Sequence, residues 1–366
     1  MAKLKSIFGT YADNMQLMID RSQDRFAQTW FQRYFAWAPP QMSLTYTSVI
    51  GASRIEAAAS VVNRDSQTPL RARGQLSKLS GQIPAIKEMF KMTEEDYRDY
   101  LVMQQMPVSD TVRRDQMLDF IFNDVLKVGN AAMKRLDYLT LEGLSTGKIT
   151  LTTLNNPDGL VLDTALDLLM PSTNQKQAAV SWDSPSTATP ITDFQTVKKA
   201  ATDLGRSVVK VLMSNALFLK FIKTQEVIDT MKGYYYGPKP GGSFSPVAIT
   251  TLDSINTFLQ AAGLPIIEIV DEVVGIEKDG IITPTRPFNE NNAVFVPAGQ
   301  LGTIKNALAI EEAKPVAGVS YATYQRALIS KWSQNEPFGE WTKSELNAFP
   351  SFDSMDGIFL LEAVYA

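Results

Sequence analysis

Residues 109–145 read SDTVRRDQMLDFIFNDVLKVGNAAMKRLDYLTLEGLS, the strongest periodicity in the chain. Apolar residues fall at Leu118, Ile121, Val125, Val128, Ala132, Leu136 and Leu139, in steps of 3, 4, 3, 4, 4 and 3. That is the spacing of one face of an α-helix. Ser109 and Asp110 offer N-caps and Gly147 offers a stop. A helix of this length spans roughly 55 Å, long for a compact domain. Gly129 in its middle costs up to about 1 kcal/mol relative to alanine. The spacing predicts a strut on which other elements are hung.

On its N-terminal side, residues 10–37 carry Met15, Met18, Ile19, Phe26, Trp30, Phe31, Tyr34, Phe35 and Trp37 at steps of three and four, before Pro39-Pro40. The spacing predicts a helix whose aromatic load needs a surface to lie against, on its own domain or on a neighbouring subunit. Residues 54–92 differ. They are small, polar and β-branched around Asp65-Ser66-Gln67-Thr68-Pro69, and lack the bulky alternation of a buried strand. Within 54–87, six bases (Arg54, Arg64, Arg71, Arg73, Lys78 and Lys87) outnumber two acids (Glu56 and Asp65), a local charge of +4. A basic, weakly hydrophobic hairpin of this kind projects from the body, as a solvated loop or as an arm across another subunit.

On the C-terminal side come two short β-like runs, a polar stretch, and Trp182-Asp183-Ser184-Pro185. Pro190 starts a helix to about Leu204, Val208–Met213 reads as a strand, and 215–223 reads as a helix. Residues 233–246, rich in glycine and proline, read as an irregular loop. Thr250–Ala262 is a helix stopped by Gly263, and strand-like Pro265–Val270 follows. This alternation over 191–300 suggests a compact α/β domain. From Tyr324 the pattern turns β-rich and is expected to return to the sheet near the long helix.

Composition narrows the chemistry. Of 366 residues, 45% are hydrophobic and 20% charged, which suits a globular protein with two or three core-bearing units. Cysteine and histidine are both absent. That removes disulfides, thiolate metal sites, cysteine nucleophiles, the commonest general base, and every Ser-His-Asp or Cys-His relay. The reading is a structural or binding protein and not an enzyme, with no cofactor. A net charge of -4 leaves only a local patch for any nucleic-acid contact. No run approaches the roughly 18 apolar residues of a membrane span. Asp13, Asp20 and Asp24 interrupt the apolar region a signal peptide would need. The expected setting is a cytoplasm, or something assembled there.

The remaining motifs favour plain readings. Gly143-Leu-Ser-Thr-Gly147-Lys148-Ile149-Thr150 has three residues between its glycines, Ile149 where a magnesium-binding hydroxyl belongs, and a helix where a strand should precede it. It fails as a phosphate loop, and both glycines read as helix-ending residues. Glu94-Glu95-Asp96, Asp271-Glu272 and Glu311-Glu312 read as solvated surface. Asn289-Glu290-Asn291-Asn292 reads as a turn before Ala293–Val296.

Taken in order, these features resemble the major capsid protein E family of lambda-like tailed bacteriophages. The similarity rests on Leu-Thr-Leu-Glu-Gly-Leu-Ser-Thr-Gly-Lys (139–148), Trp182-Asp183-Ser184 leading to Pro190-Ile191-Thr192-Asp193, and VVKVLMSNALFLKF (208–221). It continues through VDEVVGIEKDG (270–280), NNAVFVPAGQLG (291–302) and the Asn347–Val364 ending. The resemblance implies an α+β tailed-phage major capsid fold. Residues 1–50 would be an N-arm, and 51–92 an extended E-loop. Residues 93–190 would form a peripheral domain with its spine helix at 109–145, 191–323 an α/β axial domain, and 324–366 strands returning to the peripheral domain.

The implied function is self-assembly into hexamers and pentamers of an icosahedral head around double-stranded DNA, in the virion, built in the host bacterial cytoplasm. The same fold could instead serve as the shell of a protein nanocompartment. Because no scaffold-like helical extension precedes the arm, the expectation is a separate scaffolding protein and no proteolytic maturation of this chain. A portal and a decoration protein would be further partners, and no membrane is implied. Arg64, Arg71, Arg73 and Lys78 are the candidates for pairing with acids of a neighbouring capsomer. Lys3 and Lys5 belong to a 1–40 segment of net +2. They are candidates for facing the packaged DNA through weak phosphate contacts, or else for neutralising acids on adjacent subunits.

Overall fold

The computed structural model describes residues 15–21, 23–50, 77–105, 110–236 and 251–365. The helices are α1 (Met15–Arg21), α2 (Glu94–Gln104), α3 (Asp110–Thr146), α4 (Pro190–Asp203), α5 (Asn215–Lys223), α6 (Gln225–Tyr236), α7 (Leu252–Ala261) and α8 (Ile310–Ala313). The first strands are β1 (Phe35–Trp37), β2 (Thr45–Ile50), β3 (Ser77–Gln82), β4 (Ala85–Met92), β5 (Lys148–Ile149) and β6 (Leu166–Asp167). Then come β7 (Gln175–Gln177), β8 (Lys210–Met213), β9 (Ile266–Ile269), β10 (Val274–Lys278), β11 (Ile281–Thr285) and β12 (Asn292–Val296). The last are β13 (Gly302–Ala307), β14 (Ser320–Tyr324), β15 (Ala327–Gln334), β16 (Gly339–Ser351) and β17 (Phe359–Glu362).

The chain divides into two compact units. One comprises Met1–Tyr46, Ser80–Asp137 and Thr303–Ser351; the other comprises Thr47–Leu79, Tyr138–Gly302 and Phe352–Ala366. The long helix appears where its spacing places it and contributes to both. Val125, Val128, Ala132, Leu136 and Leu139 are all buried, as a single apolar face requires.

In the first unit, β16 is the central strand. β4 pairs along one edge of it from Ala85↔Asn347 to Met92↔Glu340, while β15 and then β13 pair along the other. β1 extends the sheet beyond β13 and β14 beyond β15. Two features differ from the sequence reading. Residues 10–37 do not form one helix: α1 is followed by 3-10 turns at Gln23–Arg25 and Phe31–Arg33 and then by β1. Residues 85–92 do not belong to a projecting hairpin, because β4 lies in the sheet.

In the second unit, a five-stranded sheet runs β7-β17-β12-β8-β9. α4 begins at Pro190, where the missing N–H costs nothing. α7 is fixed by a capping box between Thr251 and Ser254. The core gathers Trp182, Phe194, Phe221 and Phe295. The Phe194 ring meets Phe295 edge-on at 5.1 Å and lies tilted against Phe221 at 5.4 Å, and such pairs add to plain burial. Here too the sequence reading needs correction. The 324–366 ending does not stay together, since β17 leaves the β14–β16 ladder and pairs with β12 and β7. Gly233–Tyr236 continue α6, and the rest of the expected 233–246 loop lies outside the described residues.

Gly143 is not a helix end. It sits inside α3, and a Cβ there would stand 2.8 Å from both Leu168 and Phe352, so the glycine admits those side chains. Gly147, at φ +71°, is the residue that closes the helix.

Candidate assembly interface

Residues 15–41 are seated on their own subunit. The Gln16 amide donates to the Thr323 carbonyl at 3.1 Å and accepts the Thr323 N–H at 2.7 Å. The Phe26 ring stacks on Tyr324 with centroids 3.8 Å apart and meets Phe122 edge-on at 6.2 Å. Its third neighbour is Gly129, where a Cβ would lie 2.8 Å from the ring. The mid-helix glycine, which sequence reasoning counts only as a cost, makes room for Phe26.

Further along, the Ala27 N–H donates to Asn130 Oδ1 and the Phe31 N–H to Asp137 Oδ1, each at 2.9 Å. Ala38 and Gln41 donate to the Ile304 and Asn306 carbonyls. Of the two surfaces open to this aromatic segment, its own domain is the one it covers. Phe26, Trp30, Phe31, Tyr34 and Phe35 are all buried there.

The strands flanking residues 51–76 pair as β2–β3. Near their base, buried Tyr46 stacks on Phe349 at 5.4 Å. A Cβ on Gly81 would come within 3.2 Å of the Tyr46 ring, so glycine allows the ring to lie flat against the backbone. Burial pushes the Tyr46 phenol up to about 12. The Ile83 N–H donates to the Leu44 carbonyl at 2.7 Å.

Of the sequence candidates, Lys78 lies in β3. Arg64, Arg71, Arg73, Lys3 and Lys5 lie outside the described residues. Lys87, counted with the hairpin bases, instead stands in β4 and pairs with Glu345 at 3.0 Å. Lys343 bridges Glu311 at 3.0 Å and Glu345 at 3.3 Å. Burial alone would raise the Glu345 carboxyl, but the Lys87 and Lys343 ammoniums reverse that and hold it below its ordinary value. Burial alone would lower Lys343, and Glu311 and Glu345 hold it up. This cross-strand network of opposite charges ties β4 to β16, a job the sequence reading assigned to no residue.

Of the acids read as solvated surface, Glu94, Glu95, Asp271 and Glu312 are exposed and Asp96, Glu272 and Glu311 half-buried, and several of them also serve local structure. Asp271 accepts the Asn215 N–H at 3.0 Å at the start of α5. Glu312 accepts the Ala309 N–H at 3.1 Å. Asp96 accepts both the N–H and the hydroxyl of Thr93, and Glu94 pairs with Arg98 at 2.7 Å. Glu226 accepts the N–H groups of Ile191 and Thr192 at 2.7 and 3.2 Å. Buried Asp193 accepts the Trp182 indole N–H at 3.0 Å and the Ala179 N–H at 3.2 Å. Burial holds its carboxyl above the usual range, against the pull of those two donors. Among the described residues no group of three or more acids could hold a metal ion.

Exposed apolar side chains include Leu154, Leu160 and Val161 after the long helix, and Val273, Ile281 and Ile282 in and beside β10–β11. Sequence reasoning did not single out these residues. The available signal was Asp279-Gly280, a hairpin-turn dipeptide, directly before the uncharged run Ile281–Thr285.

The family model for phage major capsid protein E matches residues 22–362. No curated protein matches the sequence. Among solved structures, the capsid protein of a prophage of E. coli CFT073 aligns over 96% of this chain and 98% of its own, at a TM-score of 0.55 and 13% identity. The capsid of cyanophage A-1(L) aligns over 92% and 94%, at a TM-score of 0.50 and 10% identity. At such identities these two structures speak for the fold alone, the mixed α+β fold of phage capsid proteins. The chain belongs to the phage major capsid protein E family.

Proposed function

We propose that this protein is the repeating subunit of a tailed-phage head, in which hexamers and pentamers of the chain close an icosahedral shell around double-stranded DNA. The family match across 22–362 carries the reading. A chain without cysteine or histidine suits it, since its work is to hold copies together by repeated buried area. Assembly takes place in the host bacterial cytoplasm, with portal, scaffolding and decoration proteins as partners, and the virion is the final location.

Within the shell, Arg64, Arg71, Arg73 and Lys78 clamp the E-loop onto acids of a neighbouring capsomer, because guanidinium groups suit interfaces. Lys3 and Lys5 face the packaged DNA. Electron microscopy of the purified protein, expressed alone and with its scaffolding partner, tests the central claim. Closed shells of uniform diameter are expected; subunits that stay dispersed under both conditions would overturn it.

A further inference from the structure

A strand at the edge of a sheet leaves a row of backbone N–H and C=O groups unpaired, and that row invites a strand from another chain. The two larger sheets have five such edges: β1, β4 and β14 in one unit, β7 and β9 in the other. Three of them are poor templates. β1 and β7 have three residues each, and β4 carries Lys87, Glu88 and Lys91, the kind of charge that discourages pairing at an edge. The other two lack that protection. β14 reads Ser-Tyr-Ala-Thr-Tyr, with no charge at all. β9 reads Ile-Ile-Glu-Ile, and its one acid, Glu268, is held by Lys210 at 2.9 Å. Runs so poor in free charge and so rich in strand formers are the most apt to add to a second strand.

Each of these two edges is covered by a side-chain amide from a helix. In β9 the Ile266 N–H donates to the Val209 carbonyl and the Val270 N–H to the Met213 carbonyl. Alternate residues thus face β8, and Ile267 between them faces outward. There the Asn256 amide of α7 accepts the Ile267 N–H at 2.7 Å and donates to the Ile267 carbonyl at 2.9 Å. Pro265, at the entry to the strand, has no N–H to offer.

In β14, Tyr324 and Ala327 flank a two-residue loop. Hydrogen-bonded pairs alternate from the pair beside such a turn, so Thr323 faces outward. The Gln16 amide of α1 accepts its N–H at 2.7 Å and donates to its carbonyl at 3.1 Å. In both places one carboxamide makes the two hydrogen bonds that a residue of a neighbouring strand would make. Neither amide is needed to place its strand, since β9 already pairs with β8 and β14 with β15. Buried Met15 and Ile19 seat α1, and buried Ile255 and Leu259 seat α7, so both amides are held in position.

We propose that Asn256 and Gln16 are edge guards, closing the two charge-poor edges against strand pairing with a second copy of this chain. They keep subunits from associating sheet to sheet, a role that does not depend on the shell function.

Substitution at the guards tests this in dispersed subunits, well below the melting temperature of each variant. Asn256→Leu keeps the size of the side chain and removes both hydrogen bonds. By light scattering, the folded variant should associate at a concentration at least tenfold below that of the wild type, with an intermolecular β-sheet band in the infrared. Asn256→Asp loses the bond to the carbonyl but places a charge on the edge, as β4 does, and should stay dispersed. Folded Asn256→Leu that stays as dispersed as the wild type would overturn the proposal. So would equal association of Asn256→Leu and Asn256→Asp, because the amide would then serve stability alone. Should Asn256→Leu misfold, Gln16→Met puts the same question to β14, with Gln16→Glu as its charged counterpart. Closed shells, recognised by electron microscopy, do not count as association, so the outcome stands whether or not shells form.

Discussion

Replacing Gly129 by alanine should have opposite signs in two backgrounds. In an exposed helix the change would stabilise by about 1 kcal/mol through helix propensity. In this subunit the new methyl would stand 2.8 Å from the Phe26 ring and 3.3 Å from Tyr324. Phe26 is buried and stacked on Tyr324, so it cannot swing clear cheaply. Overpacking of that kind costs about 1–3 kcal/mol. The net change for Gly129→Ala should therefore lie between about 0 and 2 kcal/mol of destabilisation.

Phe26→Ala alone removes the ring and should cost about 3–5 kcal/mol. In that background the closest obstacle is gone and Tyr324, 3.3 Å from the methyl and no longer stacked on Phe26, can give way, so Gly129→Ala should become stabilising by up to about 1 kcal/mol. Urea unfolding of unassembled subunits, four proteins in one cycle, measures the coupling directly. Stabilisation by Gly129→Ala of the same size in both backgrounds would show that Phe26 does not rest on this helix.

Glu345 makes stability depend on acid. Its folded carboxyl is held below the ordinary 4.5, so its contribution is whole above that pH and drains away as pH falls through the folded value. The stability gap between wild type and Glu345→Gln should accordingly narrow below pH 4.5, and a constant gap would refute the coupling. Trp182→Phe withdraws the indole N–H from buried Asp193 and should cost about 1–3 kcal/mol in the same urea assay; no loss would mean the carboxylate does not depend on that donor. Deleting residues 60–76 should leave a folded subunit that makes no shells, and normal particles would count against an intersubunit role for the E-loop. Lys3→Glu with Lys5→Glu should give intact empty shells that package DNA poorly, whereas failed assembly would place the arm at an interface.

The long helix was legible because its signal is local and redundant. Successive apolar residues at the right steps outvote one glycine, and the observed Asp110–Thr146 differs from the reading by a residue at each end. The aromatic arm was misread because the same spacing of three and four arises when a chain winds over a helix through short turns, sending Phe26, Trp30 and Phe31 inward in succession. β4 was hidden because an edge strand carrying Lys87, Glu88 and Lys91 has no continuous apolar face to announce it. Its place depends on β16, some 250 residues later in the chain. The partner of β17 was equally out of reach, since nothing within Phe359–Glu362 distinguishes one sheet from the other. Charge could be counted from the sequence, but the exposure of Ile281 and Ile282 needed coordinates.

The way α4 and α5 begin has a consequence for small molecules. In an α/β unit, the start of a helix just beyond a strand's carboxyl end is the usual seat for a phosphate or other anion, where unpaired N–H groups and the helix dipole converge. Here the start of α5, directly after β8, is filled from within, and so is the start of α4, which follows a loop. Asp271 occupies the one on α5, and Glu226 the one on α4. A scaffold that elsewhere presents those donors to a metabolite has turned them on its own side chains, and its readiest points of entry for chemistry serve instead as internal fastenings.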